Sequence, residues 1–170
     1  MLTIQTVSSS DDVRQVAMLA HEIWNQHFVT IIGQKQVDYM LNRFQSPSAI
    51  VSQIASGSDY FLVNDVRQPA PVYVGYLGLV ADEVRSRMMI SKIYIRQENR
   101  GNGLGNGLLD FVRQLCHERG FKTIWLTVNR FNDATVSWYK RKGFVISREI
   151  KKDIGEGFFM DDYIMELTVD

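Results

Sequence analysis

The succession of hydrophobic periods along the chain predicts an α/β (α+β) fold: a mixed central sheet of about seven strands with helices on both faces. Two observations carry that reading. Between residues 60 and 95 the apolar period is that of strands, in three runs separated by short polar turns, which reads as an antiparallel meander. From residue 103 onward the period alternates between helix and strand, so the later strands are joined through helices. The chain has 170 residues, 45% of them hydrophobic and 22% charged, enough to bury a core without covalent staples, and residues 1–170 read as one domain.

Taken in order, residues 2–7 alternate Leu2, Ile4 and Thr6 against Thr3, Gln5 and Val7, a short strand, and residues 8–12 supply helix N-cap side chains. From Val13 the apolar positions Val16, Ala17, Ala20, Ile23, Trp24 and Phe28 recur at three- and four-residue steps, which marks an amphipathic helix. After the break at Gly33, Val37, Met40, Leu41 and Phe44 repeat the period. Ser46-Pro47 opens a third helix to about Ala55, because proline is accommodated in a first helical turn, and Gly57 ends it. Strands follow at 60–64, 71–80 and 87–95, with turns at 65–70 and 81–86. A helix over 103–119 closes at Gly120, a strand spans 123–128, a helix over 133–142 closes at Gly143, and a strand spans 144–149. After the loop at 155–157 a last strand occupies 163–169.

Lys plus Arg and Asp plus Glu number 19 each, so no net field draws the chain to nucleic acid or to an anionic membrane. Cys116 is the only cysteine, which excludes an internal disulfide and a cysteine-built zinc site and fits a reducing cytoplasm. No leader-like start and no run of about 20 apolar residues is seen, so neither export nor membrane insertion is expected. His21 and His27 lie six positions apart and do not share a helix face, so no metal is expected. Cys116, beside Leu115 in mid-helix, reads as a buried inert thiol.

The most informative stretch is the strand end Ile93-Tyr94-Ile95, then residues 96–99, then Arg100-Gly101-Asn102-Gly103-Leu104-Gly105-Asn106-Gly107 at the start of a helix. Glycine lets the backbone approach a ligand closely, and the free N–H groups of a helix start form an anion site. A plain connecting turn is the alternative, which four alternate glycines behind an arginine make harder to hold. The spacing is not G-x-x-x-x-G-K-[ST], nor does it match the dinucleotide fingerprint G-x-G-x-x-G after an early parallel strand. It is R-x-x-G-x-G, read as Arg100-x-x-Gly103-x-Gly105.

In this the sequence resembles the GNAT acetyltransferases. The resemblance implies acetyl-CoA as co-substrate and no metal. It implies that the backbone N–H groups of Arg100, Gly101, Asn102, Gly103, Leu104, Gly105 and Asn106 hold the CoA pyrophosphate, and that the exposed backbone of Ile93, Tyr94 and Ile95 holds the pantetheine arm like an added strand. A second block, residues 132–144, resembles the family pattern N-x-x-A-x-x-x-Y-x-x-x-G-F and departs from it at Thr135. It implies that Asn132 caps its helix or bonds near the cofactor arm, and that Tyr139 is the general acid at the CoA sulfur. Taken alone, Tyr139 also reads as a helix tyrosine packed on the sheet.

Outside this core, residues 20–28, 31–33 and 36–40 and the tail segments 153–158 and 160–165 resemble the PaiA-type spermidine/spermine acetyltransferases. That implies a small amine acceptor such as a polyamine, with Glu22, Trp24, His27 and Asp161 on the acceptor side. Of the neighbours Asp161 and Asp162, which point to opposite faces of a strand, at most one serves a groove and the other meets solvent. The general base stays open between Glu22, Glu83 and a carboxylate acting through water. A protein N-terminus or lysine as acceptor, and a non-catalytic acetyl-CoA sensor, are the competing readings; a homodimer is compatible with all of them.

Overall fold

The computed structural model describes residues 2–67 and 72–170. In chain order it contains β1 (Leu2–Thr6), α1 (Ser10–His27), α2 (Val29–Ile32), α3 (Gln34–Phe44), α4 (Pro47–Ala55), β2 (Ser58–Asp65), β3 (Tyr73–Asp82), β4 (Arg87–Ile95), α5 (Leu104–Arg119), β5 (Thr123–Asn129), α6 (Asp133–Arg141), β6 (Val145–Gly155) and β7 (Phe158–Thr168). The strands form one seven-stranded sheet in the order β1-β2-β3-β4-β5-β7-β6. It is mixed: β4 and β5 run parallel, whereas β1 with β2, β2 with β3, β5 with β7 and β6 with β7 run antiparallel. The chain divides into two compact units, residues 1–80 with 92–112 and residues 81–91 with 113–170.

In the first unit, α1 starts on a capping box: the Ser9 hydroxyl accepts from the Asp12 N–H at 3.1 Å, and the Asp12 carboxylate accepts from the Ser9 N–H at 3.0 Å. The expected break at Gly33 is real, with φ at +83°, but a further short helix, α2, occupies the residues just before it. α4 begins at Pro47 with the Ser46 hydroxyl accepting from the Ala49 N–H. Val16, Ala20, Ile23, Ile50, Leu62 and Tyr76 are fully enclosed core residues of this unit. Leu104 and Leu108 of α5 pack on Val63, Val74, Ile93 and Ile95. The turn expected at 65–70 and the strand start expected at residue 71 fall partly outside the described residues, and β3 is seen from Tyr73.

Gly75 lets β3 approach β4. A Cβ placed on it would stand 2.3 Å from the Tyr94 carbonyl oxygen, which is backbone and cannot swing aside. Gly75→Ala is therefore expected to lower stability by about 1–3 kcal/mol, the usual cost of overpacking, measured as a reduced urea midpoint at unchanged slope.

In the second unit the largest departure from expectation is the terminal hairpin. Strands were expected at 144–149 and 163–169, but β6 and β7 pair continuously from Val145 with Glu166 to Gly155 with Phe158, across two bulges. The two-residue turn Glu156-Gly157 has φ of +52° and +81°, the signs a type I′ hairpin turn requires. The alternation failed as a signal here because β6 lies at the sheet edge and residues 145–153 are all exposed, so neither face demands apolar residues. Arg148, Lys151 and Lys152 on that edge oppose pairing with another chain.

Candidate active site

The ladder between β4 and β5 involves only Arg87, Met88 and Met89, opposite Thr123, Ile124 and Trp125. Beyond it β4 continues to Ile95. Arg96 leaves the strand with its N–H donating to the Val74 carbonyl at 2.8 Å, and one turn of 3-10 helix, Gln97–Asn99, follows. Gly101 and Gly103 then adopt φ of +77° and +81°, a conformation that costs any residue with a Cβ, and nothing stands within 4 Å of where their Cβ atoms would be. The left-handed Gly103 is also why α5 starts at Leu104 and not at Gly103.

The first backbone bond of the new helix is Gly107 N–H to the Gly103 carbonyl at 3.1 Å. Among the described residues the N–H groups of residues 101–106 have no backbone acceptor, so six donors stand together at a helix start. Arg100 departs from expectation: its N–H already donates to the Gln97 carbonyl at 3.2 Å. What Arg100 can offer an anion is its side chain, whose Nε donates to the Ile95 carbonyl at 2.9 Å and whose Nη1 lies 3.4 Å from His27 Nδ1.

The acceptor-side candidates of this unit are engaged otherwise than expected. Glu22 is ion-paired with Arg96 at 3.0 Å. Trp24 is buried, with its ring 4.5 Å from Phe28 and 5.7 Å from Tyr94, so it packs the core. His27 stands against Arg100 of the glycine turn, on the cofactor side of the expectation. Sequence reasoning missed Lys92, a buried cation on β4 whose Nζ donates to Gln53 Oε1 at 3.0 Å and lies 5.3 Å from the centre of the Tyr60 ring. Burial pulls its ammonium down to about 8 and pushes the Tyr60 phenol up. The clue was present: Met88, Ile90 and Lys92 share the inward-facing positions of one strand.

In the second unit Asn132 is buried at the N-cap of α6, but its side chain does not cap the helix; its own N–H donates to the Asn129 carbonyl at 3.0 Å. Tyr139 is buried between Trp138 and Phe144, with ring centroids at 5.0 and 5.2 Å, and burial holds its phenol well above its ordinary range. Cys116 is enclosed and its thiol is pushed up to about 11 by burial, which leaves it unreactive. Glu83 lies exposed in the turn between β3 and β4.

Of the two aspartates, Asp162 departs from the expectation. Asp161 is held by Arg130 Nε at 2.8 Å, and the same guanidinium takes Glu149 at 2.8 Å. Asp162, expected in solvent if Asp161 served a groove, is only 5% exposed and bonded to Thr127, with its carboxyl pushed up to about 6 by burial first and by Asp161 second. Because its folded value is raised above the ordinary 3.8, the stabilising contribution of the protonated form is complete below pH 4 and lost as pH rises to about 6. Asp162→Asn should thus gain stability relative to the wild type across that window, levelling at roughly 2–3 kcal/mol, readable from urea unfolding at pH 4, 5, 6 and 8.

Among the described residues no helix is long and apolar enough to cross a membrane. The model of the acetyltransferase (GNAT) family matches residues 19–144. A curated L-methionine sulfoximine/L-methionine sulfone acetyltransferase of Pseudomonas aeruginosa is 26% identical over 152 residues, 87% of this chain and 80% of the relative. The crystal structure of PaiA N-acetyltransferase from Thermoplasma acidophilum in complex with coenzyme A superposes with a TM-score of 0.77 at 18% identity, covering 99% of each chain. Spermidine N-acetyltransferase from Vibrio cholerae, solved with CoA and spermine, has a TM-score of 0.69 at 17% identity over 99% of this chain and 95% of its own.

Proposed function

We propose, for a chain that belongs to the GNAT acetyltransferase family and uses acetyl-CoA, that residues 1–170 act as one catalytic domain on the primary amine of a small molecule, with a polyamine such as spermidine or spermine as the acceptor. One observation carries the cofactor part: six backbone N–H groups, those of residues 101–106, stand at a helix start without backbone acceptors among the described residues, and two of them belong to glycines with open space where a side chain would stand. These groups fit a pyrophosphate, with the Arg100 guanidinium beside them. The backbone of Ile93, Tyr94 and Ile95, beyond the end of the β4–β5 ladder, suits an extended amide-bearing arm.

Acetyl-CoA supplies a thioester carbonyl open to attack by a neutral amine. The residues of this chain hold the two reactants in line, and the Tyr139 hydroxyl gives its proton to the departing thiolate. A phenol raised by burial remains protonated at neutral pH and is free to donate.

The polyamine part rests on the resemblance of the chain ends. Asp161 already faces Arg130, so a polycation has to compete with that arginine for it, which makes recognition salt-dependent. A thiol-release assay with spermidine, spermine, free lysine, L-methionine sulfone, an aminoglycoside and a peptide N-terminus, at low and high salt, tests the reading. Spermidine and spermine are expected to turn over fastest and to lose rate with salt. Turnover no faster than free lysine, or a tenfold preference for the peptide, overturns it.

A further inference from the structure

We propose that the cleft between α1, the start of β3 and Arg96 binds a small zwitterion of the α-amino acid class, with its ammonium on Glu22 and its carboxylate on Arg96. The cavity is about 340 Å³, and Gln15, Met18, Leu19, Glu22, Tyr73 and Arg96 are among the residues that line it. That is the size range of small-molecule sites.

The charges at its wall are one of each sign, with Arg96 Nη2 3.0 Å from Glu22 Oε2. Both side chains are about a third open, 27% for Arg96 and 35% for Glu22, so the pair borders the cavity and is not a sealed core bridge. An ion pair this exposed contributes little to stability, so opening it costs little. A zwitterion replaces that one pair with two.

A second feature points the same way. Arg96 Nε is closed off from solvent and has no hydrogen-bond acceptor, which leaves the guanidinium with a donor unanswered. An unpaired buried donor is costly, and a planar guanidinium is shaped for a carboxylate held by two parallel bonds. The backbone that carries this arginine is fixed, since its N–H is bonded to the Val74 carbonyl, and at the rim the Tyr73 hydroxyl donates to Gln5 Oε1 at 3.0 Å.

The remaining wall selects the side chain. Met18 is 65% exposed and stands beside the enclosed Leu19, an apolar strip that suits a short unbranched or sulfur-bearing side chain. In this cleft a polyamine is opposed by Arg96 and a dicarboxylic acid by Glu22, so neutrality with both charged groups on one carbon is the selected property. This goes beyond the acceptor reading above, because binding here requires no acetyl transfer.

The test is calorimetric titration of the full chain without acetyl-CoA, with L-methionine, L-methioninamide and N-acetyl-L-methionine. L-Methionine is expected to bind, and methioninamide and N-acetylmethionine to bind at least tenfold more weakly, since each lacks one charge. Arg96→Gln and Glu22→Gln are each expected to weaken L-methionine at least tenfold with acetyl-CoA affinity retained. Arg96→Lys, which keeps the charge and loses the fork, should fall between. Met18→Ala, a surface change that leaves the fold intact, should weaken methionine and leave glycine unaffected. Absence of L-methionine binding to the wild type, equal binding of the amide or the N-acetyl compound, or wild-type affinity in Arg96→Gln overturns the proposal.

Discussion

Gly103→Asp is expected to abolish acetyl-CoA binding. Two effects add at that position. The residue sits at φ +81°, which an L-residue enters at a cost of about 1–2 kcal/mol, and its side chain would enter the open space over the free N–H groups. A carboxylate about 5 Å from a phosphate opposes it by roughly 3 kcal/mol at an effective dielectric near 20. Together these exceed a hundredfold loss. The fold itself should tolerate the change, because a negative charge at a helix start is favourable. Gly103→Asn separates the effects, since asparagine carries the same backbone demand without the charge and should lose no more than about tenfold. Calorimetry decides: if the aspartate variant binds acetyl-CoA as well as the asparagine variant, the pyrophosphate does not lie on this turn.

Tyr139→Phe is expected to lower kcat by about 10- to 1,000-fold while acetyl-CoA affinity stays within about twofold. The ring's contacts with Trp138 and Phe144 survive, so melting temperature should hardly move. Burial raises the phenol above its ordinary value of 10, so no loss of rate below pH 10 should trace to this group in the wild type. A wild-type kcat in the variant, with single-turnover kinetics showing that chemistry limits the rate, removes Tyr139 from the mechanism.

Element order and most helix bounds were legible because their causes are local. Ser9 and Asp12 cap α1 from within four residues, and Gly33 breaks the helical run by its own φ. The glycine turn is equally local, and the positive φ of Gly101 and Gly103 is what those glycines permit. The hairpin was misjudged for the opposite reason: residues 150–162 are charged and mixed, and only pairing between β6 and β7 makes them strands. The amide of Arg100 was also misjudged, because a 3-10 turn ending there uses it, and no side-chain pattern announces that turn.

By itself the sequence determined the succession of strands and helices, the position of the glycine-rich helix start and the placement of Asn132 at the start of the next helix and Tyr139 on it, since backbone conformation and helical period are set within a few residues. Only the tertiary structure decided the state of each charge. Glu22 meets Arg96 across 74 positions, Asp161 and Glu149 share Arg130, Lys92 is carried into the core to meet Gln53, and Asp162 is buried beside Thr127. Ion pairing and desolvation act through space, over distances that only the folded chain makes short.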